Sequence, residues 1–143
     1  MDDPYTLERY IKAQQPVYEQ VCSELRSGRK RSHWMWFIFP QIEGLGHSEM
    51  ARRYAISSLD EARAYLEHPI LGARFRECVA LVNAVQGREV EDVFGYPDNL
   101  KFHSSITLFS CVAPDEPVFG IALEKYFSGH PDSATLQRLE QTG

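Results

Sequence analysis

Apolar side chains recur at helical intervals along most of the chain, and the clearest run follows Pro69. Its apolar positions alternate steps of four and three residues: Leu71, Phe75, Cys78, Val82 and Val85. This spacing places them on one stripe of an α-helix. Proline is tolerated in a first helical turn and Gly87 follows the last apolar position, so the pattern predicts a helix between these two residues.

Runs with the same spacing predict helices in five other parts of the chain. They cover about 4–14, 16–28, 59–68 and 119–126, and a final short segment with Leu136 and Leu139. Gly28 and Gly129 are placed to end the helices that precede them, because glycine is the usual residue after a helix. Asp132 or Ser133 is suited to cap the last helix at its start.

The segment NLKFHSSITLFSCV fits two periods. Phe102, Ile106 and Phe109 have helical spacing, whereas the alternation from Phe102 to Leu108 fits a strand. Asp98 follows a proline and resembles an N-cap, and no neighbouring segment resembles a hairpin partner, so we favour the helix. The sequence therefore predicts an all-α protein, a single compact domain over 1–143 with six to eight helices and no sheet.

The segment SHWMWFIFPQ is the most aromatic part of the chain. Ser32 is expected to cap a short helix over 33–39, and Pro40 to end it. A helix that is apolar all round belongs in the core, and this is the first interpretation. The second is a binding site, because His33 and Gln41 add hydrogen-bonding groups beside indole rings that can stack on a nucleobase.

Two groups of polar residues have a structural and a functional interpretation. Cations at the end of the second helix, including Lys30 and Arg31, fit a solvated surface, or an anion clamp if they turn toward the tryptophans. Lys101, Ser104 and Ser105 share one face of the predicted helix. In the structural interpretation, the serine hydroxyls donate to backbone carbonyls and Lys101 extends to solvent. In the functional interpretation, the face binds an anion, with Lys101 as nucleophile or acid–base group.

Composition excludes several classes of protein. The chain has 143 residues, of which 43% are hydrophobic and 12% aromatic, and this is enough to fold as one domain without a metal or disulfide. A net charge of −5 argues against nucleic acid as a partner. Cys22, Cys78 and Cys111 are predicted to be buried free thiols in a reducing compartment, which favours a cytoplasmic location. No run is long enough to cross a membrane, and no cofactor motif occurs.

Four blocks carry a resemblance to a known family. They are HWMWFIFPQIEGLGHSEMARRYAI, EARAYLEHPILGARFREC, FGYPDNLKFHSSITLF and YFSGHPDSATLQRL. Together they resemble the bacterial domain-of-unknown-function family 1810, typified by a mycobacterial conserved hypothetical protein. The resemblance implies an all-helical fold and supplies no activity. Some members are labelled calpastatin, a disordered inhibitor, and the aromatic content here contradicts that label.

These observations lead to two functional hypotheses. The first is a site for an anionic small molecule with a flat ring, such as a nucleotide or an ADP-ribose-like metabolite. Its residues would be Lys30, Arg31, His33, Trp34, Trp36, Gln41, Ser104 and Ser105, with Lys101 as the catalytic group of a transfer or hydrolysis that needs no metal. The alternative is a non-catalytic helical module that binds a protein or forms a homodimer.

Overall fold

The computed structural model describes residues 3–142, so the ends of the domain predicted over 1–143 lie outside the described part. Ten helices occur within it, and seven of them have seven residues or more. They are α1 Glu8–Gln14, α2 Tyr18–Arg26, α3 Met35–Ile38, α4 Glu49–Arg53, α5 Leu59–Glu67, α6 Pro69–Ala84, α7 Val90–Phe94, α8 Asp98–Val112, α9 Pro117–Phe127 and α10 Ser133–Thr142.

The all-α prediction is confirmed. Residues 3–142 contain no strand, and an isolated bridge between Ile42 and Ile56 is the extent of β pairing among them. The seven helices of seven residues or more agree with the predicted six to eight, and the other three, α3, α4 and α7, have only four or five residues each. A segment that short spans little more than one turn, so it shows no apolar period.

Two long helices form the centre of the fold. Helix α6 packs against α2, α5 and α9, and α8 packs against α5, α7, α9 and α10. Their facing rings meet at Phe75 and Phe109, whose centroids are 4.3 Å apart. Phe39, just after α3, contacts Phe75, Phe94 and Phe102 edge to face. The aromatic segment therefore contributes directly to the core, as its first interpretation predicted.

The ambiguous segment is helical throughout α8, because its apolar residues bury against several neighbouring helices at once. The predicted cap at its start was wrong: Asp98 lies in the first turn and accepts no capping hydrogen bond. The cap of the last helix is Asp132, whose carboxylate accepts from the backbone N–H of Thr135 at 3.0 Å. Gly28 has φ +75°, the left-handed conformation that ends a helix and favours glycine.

Helices α5 and α6 approach each other unusually closely at Gly72. A Cβ atom added there would lie 2.0 Å from the carbonyl oxygen of Leu66. The position therefore requires glycine for steric reasons rather than for its backbone conformation.

Candidate ligand-binding site

The loop that leads into the aromatic segment is organised around one buried carboxylate. Glu24 in α2 accepts at Oε1 from the backbone N–H groups of Arg31 (2.7 Å) and Ser32 (3.1 Å) and from the indole Nε1 of Trp34 (3.0 Å). Its Oε2 accepts from the Ser32 hydroxyl (2.6 Å) and the Gln20 amide (2.9 Å). Burial raises the pKa of Glu24, but these hydrogen bonds together outweigh it and lower the pKa to about 2.

This network changes where the short helix begins. Ser32 was predicted to cap a helix over 33–39, but its side chain is engaged with Glu24 and makes no capping bond. Helix α3 therefore starts at Met35. Its end is as predicted, because Phe39 has left the helical region (φ −123°, ψ 71°) just before Pro40.

Two lysines pair with one carboxylate beside α3, and each lysine also lies over an indole ring. Asp98 lies 2.9 Å from Lys30 Nζ and 3.5 Å from Lys101 Nζ. Lys30 Nζ lies 5.1 Å from the ring centroid of Trp34, and Lys101 Nζ lies 5.4 Å from that of Trp36. The structure thus brings the basic loop, the aromatic segment and the start of α8 together, each ammonium against an aromatic face.

A small cleft of about 10 Å³ opens next to Trp36, and we call it the Trp36 cleft. It is lined by Met35, Trp36, Phe39, Gln41, Ala51, Tyr54 and Lys101. Met35, Phe39 and Ala51 supply apolar walls, and Gln41, Tyr54 and Lys101 are the lining residues that carry polar groups. Within residues 3–142, the Gln41 amide and the Tyr54 hydroxyl have no hydrogen-bond partner. Apolar walls with a few polar groups are typical of small-molecule sites.

A second groove of about 250 Å³ adjoins this cleft, and we call it the Arg52 groove. It is lined by Glu43, Gly44, Gly46, His47, Arg52, Ala55 and Arg138. Gly46 borders both spaces, because a Cβ atom there would lie 2.7 Å from the Ala51 Cβ and 3.3 Å from the Gln41 Nε2. The Arg138 Nε donates to the carbonyl of Glu43 at 2.9 Å, whereas the Arg52 guanidinium has no partner in the described part of the chain.

Of the predicted site residues, Trp36, Gln41 and Lys101 line the Trp36 cleft. Lys30 is linked to it only through Asp98, which also pairs with Lys101, and the others lie outside the lining. Trp34 is buried at 1% exposure, with its face covered by Lys30. Arg31 and His33 are exposed and outside the cleft lining.

The two serines of α8 are buried away from the cleft lining. The Ser104 hydroxyl donates to the carbonyl of Leu100 at 3.0 Å, which is the structural role considered for it. Ser105 is fully buried, and its hydroxyl has no partner among residues 3–142. Lys101 is only partly exposed, since its stem packs beside Trp36 instead of extending to solvent.

Three residues that shape the site were missed from the sequence. Asp98 could have been found, because a carboxylate three residues before Lys101 on a helix is a recognisable ion-pair spacing. Glu24 gave no signal, since nothing local distinguishes a buried glutamate from a surface one. Tyr54 reaches the cleft only through the chain path between α3 and α4.

The remaining predictions have mixed outcomes. Cys22 and Cys78 are buried free thiols, but Cys111 is exposed, because the last turn of α8 projects beyond the core. No group of three or more His, Cys, Asp or Glu side chains in residues 3–142 is arranged to hold a metal ion. In the same part of the chain, no helix has the length and apolar character needed to span a bilayer.

Comparison with known proteins places the chain in a family. A family model described as "Protein of unknown function (DUF1810)" matches residues 4–139. The crystal structure of the conserved hypothetical protein Rv1873 from Mycobacterium tuberculosis is similar, with 54% sequence identity and a TM-score of 0.95. That match covers 96% of this chain and 99% of the other. No curated protein matches. The chain therefore belongs to the DUF1810 family of proteins of unknown function.

Proposed function

We propose that the protein binds an anionic small molecule with a flat ring, of the nucleotide or ADP-ribose-like class, and that the ring enters the Trp36 cleft. The observation that carries the proposal is the convergence of Trp36, Gln41 and Lys101, from two distant parts of the chain, on one cleft. The unpaired Gln41 amide and Tyr54 hydroxyl supply the directional hydrogen bonds that fix a ring edge.

The indole face supports a ring as the part of the ligand that enters. Stacking of a base on an aromatic side chain contributes about 1–3 kcal/mol. The Lys101 ammonium now lies against Trp36 at 5.4 Å, and an exposed contact of this kind contributes about 0.5–1 kcal/mol. A ligand ring that replaces the ammonium on the indole face therefore gains more stacking free energy than the cation–π contact loses. The released ammonium is then free to meet the negative charge of the ligand.

The size of the cleft supports a ligand that extends beyond it. Small-molecule pockets usually exceed about 300 Å³, whereas this cleft of about 10 Å³ holds about one water molecule. A ring therefore enters only when the Lys101 ammonium moves off Trp36, and the rest of the ligand must extend outside. Gly46 separates the Trp36 cleft from the Arg52 groove, and because it has no side chain, little protein lies between the two spaces. Arg52 and His47 then supply cationic or hydrogen-bonding partners for a phosphate.

Any transfer or hydrolysis at this site would depend on Lys101, whose amine lines the cleft. No metal or cofactor enters the proposal. A cytoplasmic location is part of it, because three free cysteines suit a reducing compartment.

The test is a thermal-shift and calorimetric screen with adenosine, AMP and ADP-ribose as probes. A probe at 100 times its dissociation constant stabilises the fold by about 2.7 kcal/mol, so we expect Tm to rise by roughly 5–10 °C. Trp36→Ala and Lys101→Ala should each weaken binding at least tenfold. Arg31→Ala removes an exposed cation outside the cleft and should leave binding unchanged.

A second pair of variants tests the position of the phosphate. Arg52→Gln should weaken AMP more than adenosine, whereas its neighbour Arg53→Gln should affect neither, because Arg53 pairs with Glu49 on the other side of the helix turn. Binding that survives in Trp36→Ala and Lys101→Ala would place the site elsewhere and refute the assignment.

The alternative function, a homodimer or a partner-binding module, is favoured by one surface feature. Tyr96 and Leu100, at the start of α8, are 73% and 50% exposed and are four residues apart. If no probe binds and light scattering shows a dimer that Leu100→Asp dissociates, this alternative replaces the ligand site.

A further inference from the structure

Two thiols lie close together where α2 packs against α6, away from the Trp36 cleft. Cys22 in α2 donates to the Glu77 carboxylate, with Sγ and Oε1 3.9 Å apart. Cys78 in α6 donates to the Tyr18 hydroxyl, also at 3.9 Å, and that hydroxyl donates to the same Glu77 carboxylate. Tyr18 and Glu77 lie between the two sulfur atoms in one chain of hydrogen bonds. Both thiols are therefore linked to one surface carboxylate.

The pair is approached from solvent on the Cys22 side. A cleft of about 470 Å³ is lined by Cys22 together with Tyr18, Glu19, Arg26 and Glu77. Cys22 is 5% exposed at the base of this cleft, whereas Cys78 is 1% exposed and lies outside its lining. A small neutral oxidant can reach the first sulfur directly, and the second only through the first.

We propose that Cys22 and Cys78 form a peroxide-sensitive dithiol, in which Cys22 reacts first and Cys78 resolves it as a disulfide joining α2 to α6. This proposal does not depend on the ligand site. It concerns a cluster of groups that the Trp36 cleft does not contain.

The chemistry balances with hydrogen peroxide as the oxidant. The Cys22 thiol loses its proton to solvent, and the thiolate attacks one peroxide oxygen. The O–O bond breaks, the leaving hydroxide takes up the proton as water, and Cys22 becomes a sulfenic acid. The Cys78 sulfur then attacks the Cys22 sulfur, the S–OH bond breaks, and the second hydroxide leaves as water with the Cys78 proton. Two thiols and one peroxide thus yield one disulfide and two waters.

Electrostatics support this order of reaction. A hydrogen bond from Cys78 is the main cause that lowers the pKa of Cys22 to about 7, with smaller contributions from Tyr18 and Arg26 and against opposition from burial and Glu77. The bond to Cys22 and burial raise the pKa of Cys78 well above its usual value. Cys22 is therefore the thiol that ionises near neutral pH, and the thiolate is the nucleophile.

Cys111 provides an internal control. The residue as a whole is exposed on α8. Its sulfur is partly covered, and this burial raises the pKa of the thiol. It should be more accessible to reagents than the pair but less reactive toward peroxide at pH 7, because less of it is thiolate.

The experiment treats the full chain with limiting hydrogen peroxide at pH 7 and then alkylates the remaining thiols under denaturing conditions. We expect a protein with one alkyl group, from its one remaining thiol. Apart from that group, its intact mass should be about 2 Da below that of the reduced chain, because disulfide formation removes two hydrogens. A peptide map should join Cys22 to Cys78 and show Cys111 alkylated. In Cys78→Ala, dimedone should label Cys22. In Cys22→Ser, oxidation of Cys78 should slow at least tenfold.

A pH profile distinguishes an activated thiol from mere accessibility. The rate of peroxide consumption by Cys22 should rise tenfold per pH unit below 7 and level off above it, whereas that of Cys111 should continue to rise beyond pH 8. Preferential oxidation of Cys111, dimers linked through it, or separate sulfenic acids on Cys22 and Cys78 of the wild-type chain would each overturn the proposal. The peptide map uses wild-type protein, so it remains decisive if a variant fails to fold.

Discussion

Glu24 is the buried charge around which the loop between α2 and α3 is built, so replacing it with glutamine should destabilise the protein substantially. The carboxylate accepts hydrogen bonds from five donors, three at Oε1 and two at Oε2. An amide has one acceptor oxygen and therefore keeps three of these at most. Its NH₂ group then faces the Ser32 hydroxyl and the Gln20 amide, which both act as donors in the wild-type protein.

Two independent estimates give a similar magnitude. A hydrogen bond to a charged group contributes about 1.5–3 kcal/mol, so two lost at Oε2 and partly recovered elsewhere cost about 3 kcal/mol. A carboxyl whose pKa falls from 4.5 to about 2 on folding contributes about 3 kcal/mol at neutral pH. Because the pKa is lowered in the folded state, this contribution is complete above pH 4.5 and is lost as the pH falls toward 2.

The assay is urea unfolding of wild-type protein and Glu24→Gln at pH 7 and at pH 3. We expect a difference of about 3 kcal/mol in the free energy of unfolding at pH 7, and about 1 kcal/mol at pH 3, where wild-type Glu24 is losing its advantage. Glu19→Gln, an exposed site on the same helix, should change the free energy by less than about 0.5 kcal/mol. A cost for Glu24→Gln below 1 kcal/mol at pH 7, or one that is equal at both pH values, would refute this account.

Two further predictions concern packing and are checked by the same unfolding measurements. Gly72→Ala should cost at least about 2 kcal/mol, because its Cβ meets the Leu66 carbonyl at 2.0 Å, whereas Gly120→Ala, with no atom within 4 Å, should stabilise α9 by about 0.5–1 kcal/mol. A similar outcome for both glycines would contradict the close approach of α5 and α6. Phe39→Ala should cost about 3–5 kcal/mol, since its ring is 1% exposed and contacts three others, while Trp36→Ala should cost less than about 2 kcal/mol because it borders a cleft. Equal costs would mean that Trp36 is a core residue and not a cleft wall.

The long helices could be predicted because their sequences carry their own boundaries. The stripe from Leu71 to Val85 and the glycine at 28 act over short distances, and the structure follows both. The errors arose where a side chain found a distant partner. Ser32 and Asp98 are good capping residues by type. However, Ser32 hydrogen-bonds to Glu24, and Asp98 forms ion pairs with two lysines.

The candidate site could be predicted only in part, for the same reason. Aromatic and basic residues were recognisable by type, and three of them line the cleft. Whether an indole lines the cleft or is buried in the core depends on which other side chains cover its ring. Trp34 and Trp36 are two residues apart, so they point in different directions from a helical turn, and only one of them borders the cleft. The sequence does not show which, because the covering atoms come from Lys30 and Glu24.

The walls of the Trp36 cleft come from three stretches of chain, 35–41, 51–54 and the start of α8, and the last of these lies far along the chain from the first two. No fragment that lacks one of them can hold the cleft, and no short motif could be grafted elsewhere to reproduce it. The cleft therefore exists only in the completed fold. Truncating the chain before α8 would abolish it together with the centre of the core, and a family member keeps this site only if its chain folds at least from α3 to α8.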